Sequence, residues 1–324
     1  MKNYFQTIRN KRLSKKGLFI LKLLVTGLAW WYIYVKLSSE DFRLQTIPED
    51  RIFFVFLVLF LVFVNWFIET RKWQLLVLVF QKISFFRALK GVLIGSTLGF
   101  ITPNRIGDIG GRSLVLKTDK KRGMVATTIG SVMQLSATLL FGVIGLFLFL
   151  VFFSHSNVLL FYICIVCVCG VFVFFILRIL HKKNVWQRLL LRIIGKLYYR
   201  RLVQTVQLYS LKRLLHVFFL AIARYLVFSF QYILLLFLFI PELSLLQSFV
   251  GITLTYLFVT LIPSSILGEL GVRGSVSVFI FGLFAAPSVL VFQVSLYMWL
   301  INLAFPVFVG SVLLFAHRIT SSRQ

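Results

Sequence analysis

The chain has few acidic residues, few histidines and few cysteines. It contains 9 Asp and Glu against 35 Lys and Arg, with 4 His and 3 Cys in 324 residues. The cysteines, Cys164, Cys167 and Cys169, fall within one apolar run and lack a second Cys or His cluster to complete a metal or redox site. The sequence shows no Asp-rich pair, no metal-ligand spacing and no activated nucleophile, which argues against an enzyme. We expect no cofactor and no metal ion.

The alternation of apolar and polar residues that marks barrel strands is also missing. Instead 60% of the residues are hydrophobic, and charged loops separate apolar runs of roughly 20 residues. Runs of that length cross a bilayer as helices. The sequence therefore predicts an all-α polytopic integral membrane protein.

The basic residues, which give a formal net charge of +26, lie mostly in the loops between apolar runs. This placement argues against nucleic acid as a partner and follows the rule that cytoplasmic loops are rich in Lys and Arg. Such loops also attract anionic lipid headgroups. We expect both termini in the cytoplasm.

About six spanning helices are predicted, at about 17–37, 52–79, 124–153, 158–179, 214–240 and 288–316. Two further apolar segments are interrupted. The first hairpin, 91–117, is apolar only from Val92 to Thr102, which is about half of what a crossing needs. We expect it to enter the membrane from the cytoplasm and to leave on the same side, because basic residues precede and follow it. Broken chain at membrane depth must line a cavity or be buried in protein.

The break in the first hairpin has a second copy in the chain. The first reads P-x3-G-D-x3-R and the second, within hairpin 244–286, reads P-x4-G-E-x3-R. The first motif comprises Pro103, Gly107, Asp108 and Arg112, and the second comprises Pro263, Gly268, Glu269 and Arg273. Recurrence of this pattern indicates an internal repeat.

The repeat divides the chain into halves of three spans and one hairpin, 1–157 and 158–324. Because an odd number of spans inverts the second half, its hairpin should enter from outside. Secondary transporters with inverted repeats bind substrate between discontinuous helices of this kind. Gly91, Gly95 and Gly99, spaced by four, predict close approach of another helix to the first hairpin.

The hairpin tips are the candidate binding site for a lipid headgroup. Asp108 and Arg112, like Glu269 and Arg273, are one helical turn apart, and ionisable residues inside a membrane are costly and usually functional. The alternative is that each pair only neutralises itself. We expect the prolines and the glycines Gly107 and Gly268 to have structural roles.

Three further polar residues could assist at the tips. Asn104 is placed to cap the helix after the first proline, and Arg105 is a weaker candidate for a phosphate. Arg224, inside the fifth span, has three open alternatives: the glutamate of the second hairpin, a headgroup, or the inner surface. The span residues Asn65, Glu69, Gln134, Gln231, Gln293 and Asn302 are candidates for cavity lining.

Segment 181–213 has nine basic residues, no acid, and apolar residues at helical spacing. It predicts either an amphipathic helix on the inner membrane surface or a basic loop that only fixes the topology.

The motifs TPNRIGDIGGR, 102–112, and LGELGVRGS, 267–275, resemble the flippase-like family of the lysylphosphatidylglycerol synthase transmembrane domain. In that family a glutamate is usual at the position of Asp108 in the first motif. In the second motif the acid usually follows the arginine, at the position where this sequence has Gly274. The resemblance implies a lipid flippase of a bacterial cytoplasmic (inner) membrane that moves a polar-headed or phosphate-bearing lipid between leaflets. No soluble aminoacyl-transferase domain is expected after Ala316.

Two alternatives to a flippase stay open. One is a membrane-embedded enzyme and the other is a non-catalytic partner in the synthesis of lipids or lipid-linked glycans. Membrane lipids are the expected partners, and the sequence leaves open whether the protein forms a homo-oligomer.

Overall fold

The fold is a bundle of helices in a computed structural model that describes residues 2–40, 44–47, 49–102, 105–153, 204–262 and 268–321. No strand occurs among these residues. Four helical stretches in them, 49–77, 120–153, 211–239 and 288–316, are long and apolar enough to cross a membrane. The predicted all-α polytopic class is therefore confirmed. The predicted span 158–179 and the basic segment from 181 to 203 lie outside the described residues.

The described helices follow the predicted order of spans and hairpins. They are α1 Lys2–Ser38, α2 Ile52–Val77, α3 Phe85–Ile101, α4 Ile106–Arg112, α5 Lys120–Phe153, α6 Leu211–Phe239, α7 Leu245–Leu261, α8 Gly268–Gly282, α9 Ser288–Trp299 and α10 Phe305–Ser321. Helices α3 and α4 form the first hairpin, and α7 and α8 form the second.

The first arm of each hairpin is a helix of 17 residues that a serine caps. The Ser84 hydroxyl accepts a hydrogen bond from the Arg87 N–H, and Ser244 makes the same bond with Gln247. Because a serine N-cap satisfies a free N–H of the first turn, it sets where the helix begins. Helix α3 thus begins at Phe85, before the predicted Gly91, and is longer than the apolar run that predicted it.

Helix α4 packs closely along α3, as the spacing of the glycines predicted. A Cβ atom on Gly95 would overlap the Arg112 side chain and come within 2.6 Å of the Asp108 carboxylate. A Cβ atom on Gly111 would lie 2.8 Å from the Gly95 Cα atom. Glycine at these positions lets two backbones approach until the polar side chains of α4 reach the neighbouring helices.

The first arm of each hairpin packs on the last span of the other half. Helix α3 lies along α10, where the Thr97 hydroxyl donates to the Val307 carbonyl at 2.9 Å. Helix α7 lies along α5, where Thr253 fits against Gly145. Helices α2 and α6, the middle spans of the two halves, pack against each other.

The last span is not a continuous α-helix. Between α9 and α10 lies a π-helical turn, Leu300–Ala304, and Pro306 follows it in the first turn of α10. Proline has no N–H to give to the preceding turn, and a π turn accommodates one extra residue where the α-helical bonding is broken.

Glu40, which follows the end of α1, binds the start of α9. Its carboxylate accepts hydrogen bonds from the backbone N–H groups of Ser288 at 3.2 Å and Val289 at 3.1 Å. Partial burial raises the pKa of Glu40, but the bonds from Ser288 and Val289 and the charge of Lys36 outweigh it, so the pKa lies below its ordinary value. The carboxylate therefore stabilises the fold above its ordinary pKa, and this contribution is lost as the pH falls through the lowered value.

We expect Glu40→Gln to lower the stability by about 0.3–1 kcal/mol at pH 7, because a charged group at a helix N-terminus is replaced by a neutral one. The difference from wild type should disappear in acid, where Glu40 itself is neutral. Thermal unfolding in detergent micelles from pH 7 to pH 3 measures this. Glu242→Gln, at an exposed position in a turn, is the control, and a difference that persists at pH 3 would contradict the charge-based cause.

Candidate functional site

Charged and amide side chains of both halves meet between the helices in one cluster. This Glu69 cluster comprises Asn65, Glu69, Lys72, Asp108, Arg112, Gln134, Arg224 and Asn302. Its members come from α2, α4, α5, α6 and the π-helical turn. Hydrogen bonds and ion pairs connect all of them.

Glu69 is the centre of the cluster because it binds three cations. Its Oε1 atom accepts from Arg112 at 2.6 Å. Its Oε2 atom is shared by Arg224 Nη1, at 2.8 Å, and Lys72 Nζ, at 2.6 Å. The Glu69 side chain is only 4% exposed. A carboxylate with three cationic partners is satisfied in this interior, where a lone charge would be expensive.

Arg112 lies between the two carboxylates of the cluster. Its Nε and Nη2 atoms donate to Asp108 at 2.7 and 2.9 Å, and its Nη1 atom donates to Glu69. The planar guanidinium makes this two-pronged contact, which a lysine could not reproduce. The predicted pairing of Asp108 with Arg112 is present, and Glu69 is a third member that the pattern did not include.

Amide side chains connect the ions to the surrounding helices. Asn65 accepts from Arg224 Nε at 2.7 Å and donates to Asn302 at 3.1 Å. Lys72 donates to Gln134, whose amide donates to the Ala221 carbonyl. The candidates Asn65, Glu69, Gln134 and Asn302 therefore meet in one place.

Gln231 and Gln293 do not join this cluster. The Gln231 amide donates to the Val58 carbonyl and holds α6 to α2. Gln293 exchanges two hydrogen bonds with the backbone of Gln45 and so holds residues 44–47 against α9. Both make structural contacts outside the cluster, and their role as cavity lining stays a prediction.

The ion pair of the second hairpin is looser than that of the first. Arg273 Nη2 donates to Glu269 at 3.2 Å, and the Arg273 side chain is 32% exposed. The buried Arg273 Nε atom has no hydrogen-bond partner within the described part of the chain. The two hairpins thus differ: Arg112 is fixed by two carboxylates, whereas Arg273 has one weak partner.

Of the remaining predicted residues at the first tip, those that the structure describes form no hydrogen bond or ion pair with the cluster, and the others lie outside the described residues. Arg105 is exposed and takes φ 55°, and it is the N-cap residue of α4 in place of the predicted Asn104. The Gly107 N–H donates to the Thr102 hydroxyl at 2.7 Å. A Cβ atom on Gly107 would overlap the Leu98 carbonyl, so this position requires glycine. Pro103 and Asn104 themselves lie outside the described residues.

At the second tip, Pro263 also lies outside the described residues, and Gly268 is the buried first residue of α8. Arg224 meets a glutamate, but it is Glu69 of α2 and not Glu269. Lys72 is a member of the cluster that the sequence patterns did not identify. Its side chain is 2% exposed.

The cluster can attract an anion because its charges do not balance. Lys72, Arg112 and Arg224 carry three positive charges against the two negative charges of Glu69 and Asp108. Opposite charge is strongly favoured at such a place in a low dielectric. Among the residues that the structure describes, no group of three or more His, Cys, Asp or Glu side chains could hold a metal ion.

One of the comparisons with known proteins found a match. The family model described as the lysylphosphatidylglycerol synthase TM region matches residues 19–310. No curated protein and no solved structure matches the chain. The matched range covers both hairpins and every residue of the Glu69 cluster. The chain therefore belongs to the family of the lysylphosphatidylglycerol synthase transmembrane region, and it is a multi-pass membrane protein with a lipid-related role.

Proposed function

We propose that this protein moves an anionic, phosphate-bearing lipid between the leaflets of a bacterial cytoplasmic membrane, with both termini in the cytoplasm. The observation that carries the proposal is the excess positive charge of the buried Glu69 cluster. An anionic headgroup would neutralise this excess charge on arrival. The cations of the cluster would replace the water that the headgroup leaves at the membrane surface.

Arg224 is the cation of the cluster that a headgroup would meet most readily. Its side chain is 17% exposed, against 9% for Arg112 and 2% for Lys72. Arg224 also shares Glu69 Oε2 with Lys72. A phosphate could therefore take over Arg224 while Lys72 keeps Glu69 neutralised.

The packing of the halves supports an inverted repeat. The first helix of each hairpin has 17 residues and packs on the last span of the other half: α3 packs on α10, and α7 packs on α5. In an inverted repeat, two such contacts are equivalent by symmetry. Transporters of this plan expose a site between discontinuous helices to one side of the membrane at a time. The Glu69 cluster has members from both halves, so it would be the site that changes access.

We expect Arg224→Gln to slow lipid movement at least tenfold, about 1.4 kcal/mol in the barrier, because the accessible cation of the cluster is lost. The measurement uses liposomes that contain a fluorescent phosphatidylglycerol, with chemical quenching of the outer leaflet. Arg224→Lys, which keeps the charge, should retain part of the rate. Arg273→Gln tests the partly exposed arginine of the second hairpin in the same assay.

Arg122→Gln is the matched control for these variants. Arg122 pairs with Asp119 at the surface, where both side chains are about 40% exposed, so its loss should leave the rate unchanged. Thermal unfolding shows whether each variant is folded. If folded Arg224→Gln moved lipid at the wild-type rate, the cluster would have no part in transport. If the wild-type protein moved phosphatidylcholine as fast as phosphatidylglycerol, it would not select anionic lipids.

A further inference from the structure

An apolar groove of about 530 Å³ runs along the outside of α2, between α3 and α10. Its size falls within the range of about 300–1,000 Å³ that is usual for ligand sites. It is lined by Val62, Phe63, Val64, Trp66, Phe67, Phe85, Leu89, Leu93, Phe305, Pro306 and Val309. Because this lining offers almost no polar group, a charged or hydrated ligand would lose its hydrogen bonds there. The groove therefore suits hydrocarbon.

The groove opens on the surface of membrane-spanning helices. The rim residues Phe63, Phe67 and Phe305 are each at least half exposed. The helices that carry them, α2 and the α9–α10 span, are both long and apolar enough to cross a membrane. Acyl chains are the hydrocarbon that surrounds such helices.

Trp66 lines the groove and neighbours the Glu69 cluster along α2. It lies beside Asn65 and one helical turn from Glu69. Its Nε1 atom is buried and has no hydrogen-bond partner within the part of the chain that the structure describes. An indole N–H can only donate, and when buried it usually has a partner. A carbonyl oxygen from a ligand would supply the missing acceptor.

A glycerolipid presents its groups in the order that this arrangement requires. Its phosphate, its ester carbonyl and its acyl chain follow one another, as do the Glu69 cluster, the Trp66 N–H and the groove. We propose that the groove binds one acyl chain of a glycerolipid, with the Trp66 N–H donating to the ester carbonyl and the headgroup directed to the cluster. This inference rests on the proposed function and deepens it, because it names the class of lipid and where its chain lies.

Photo-crosslinking tests the site without any measurement of transport. The full chain is placed in vesicles of phosphatidylethanolamine and phosphatidylglycerol, with a phosphatidylglycerol that carries a diazirine in one acyl chain. Mass spectrometry should find lipid adducts on the groove residues. Leu89→Trp fills the groove and should lower this yield at least tenfold, whereas Phe56→Trp, on the exposed face of α2, should not.

Lipid adducts confined to residues outside the groove would overturn the proposal, as would equal yields in Leu89→Trp and wild type. Leu93→Trp is the second groove-filling variant if Leu89→Trp does not fold. Lipid adducts in a protein that moves no lipid would contradict the proposed function alone. Transport without groove adducts would contradict this inference alone.

The role of Trp66 has its own comparison. Trp66→Phe keeps an aromatic ring in the groove and removes the donor. The adduct yield should fall for the ester-linked lipid and stay the same for an ether-linked analogue, which has no carbonyl at that position. An equal fall for both lipids would reduce Trp66 to a packing residue.

Discussion

Replacing Glu69 with glutamine is expected to destabilise the folded protein by about 3–5 kcal/mol, because it leaves buried cations without their counter-ion. Lys72, Arg112 and Arg224 would then face the single carboxylate of Asp108. Thermal unfolding of the purified protein in detergent should show a large drop in Tm, with a lower yield of inserted protein. Of the changes considered, this one should have the largest effect.

A control and a compensating change separate charge from shape in this experiment. Glu242→Gln alters an exposed glutamate in the turn before α7 and should have no effect. Adding Lys72→Met to Glu69→Gln removes one of the two cations that share Glu69 Oε2 and should restore part of the stability. If Glu69→Gln alone were as stable as wild type, the cations would not depend on this carboxylate.

Gly95→Ala is expected to cost about 1–3 kcal/mol, since a methyl group there forces α3 and α4 apart. The new Cβ atom would overlap the Arg112 side chain and lie 2.6 Å from an Asp108 oxygen. Because both residues belong to the Glu69 cluster, the displacement should also slow lipid movement. Thermal unfolding and the liposome assay measure the two effects.

An alanine substitution at Gly110 should not lower the stability of the folded protein. Its Cβ atom would meet only the end of the Met124 side chain, 4.0 Å away. Alanine is favoured over glycine within a helix by up to about 1 kcal/mol, so Gly110→Ala should be neutral or stabilising. If Gly95→Ala and Gly110→Ala lowered the stability equally, the close contact of α3 and α4 would not be what determines the stability.

The sequence predicted the helix break of the first hairpin well because its signals are local. A proline after an apolar run, followed by glycine, an acid and an arginine one turn later, predicts a helix end and a new helix start. Helix α3 ends at Ile101 and α4 begins at Ile106, with the predicted Asp108–Arg112 pair on it. The start of α3 was placed too late because its cap, Ser84, lies in a polar stretch that apolar periodicity does not mark.

The centre of the site was harder to predict because a charge near the end of a span has two explanations. Glu69 and Lys72 lie in the last third of α2, where charged residues usually mark the membrane surface. One signal was available: Asn65, Glu69 and Lys72 are spaced i, i+4 and i+7, which places them on one helix face. What that face meets depends on α4 and α6, distant in sequence, so one helix alone could not identify the partners of Glu69.

The π-helical turn at Leu300–Ala304 changes the angular phase of the last span. One extra residue rotates everything after it by about 100° relative to an uninterrupted α-helix. The segment before the turn faces α8 and α6, whereas Gly310, after it, fits against the Leu93 backbone of α3. One span thus presents differently oriented faces to the two halves of the molecule. A helical wheel drawn with a single phase over 288–316 would assign one of these faces to the lipid.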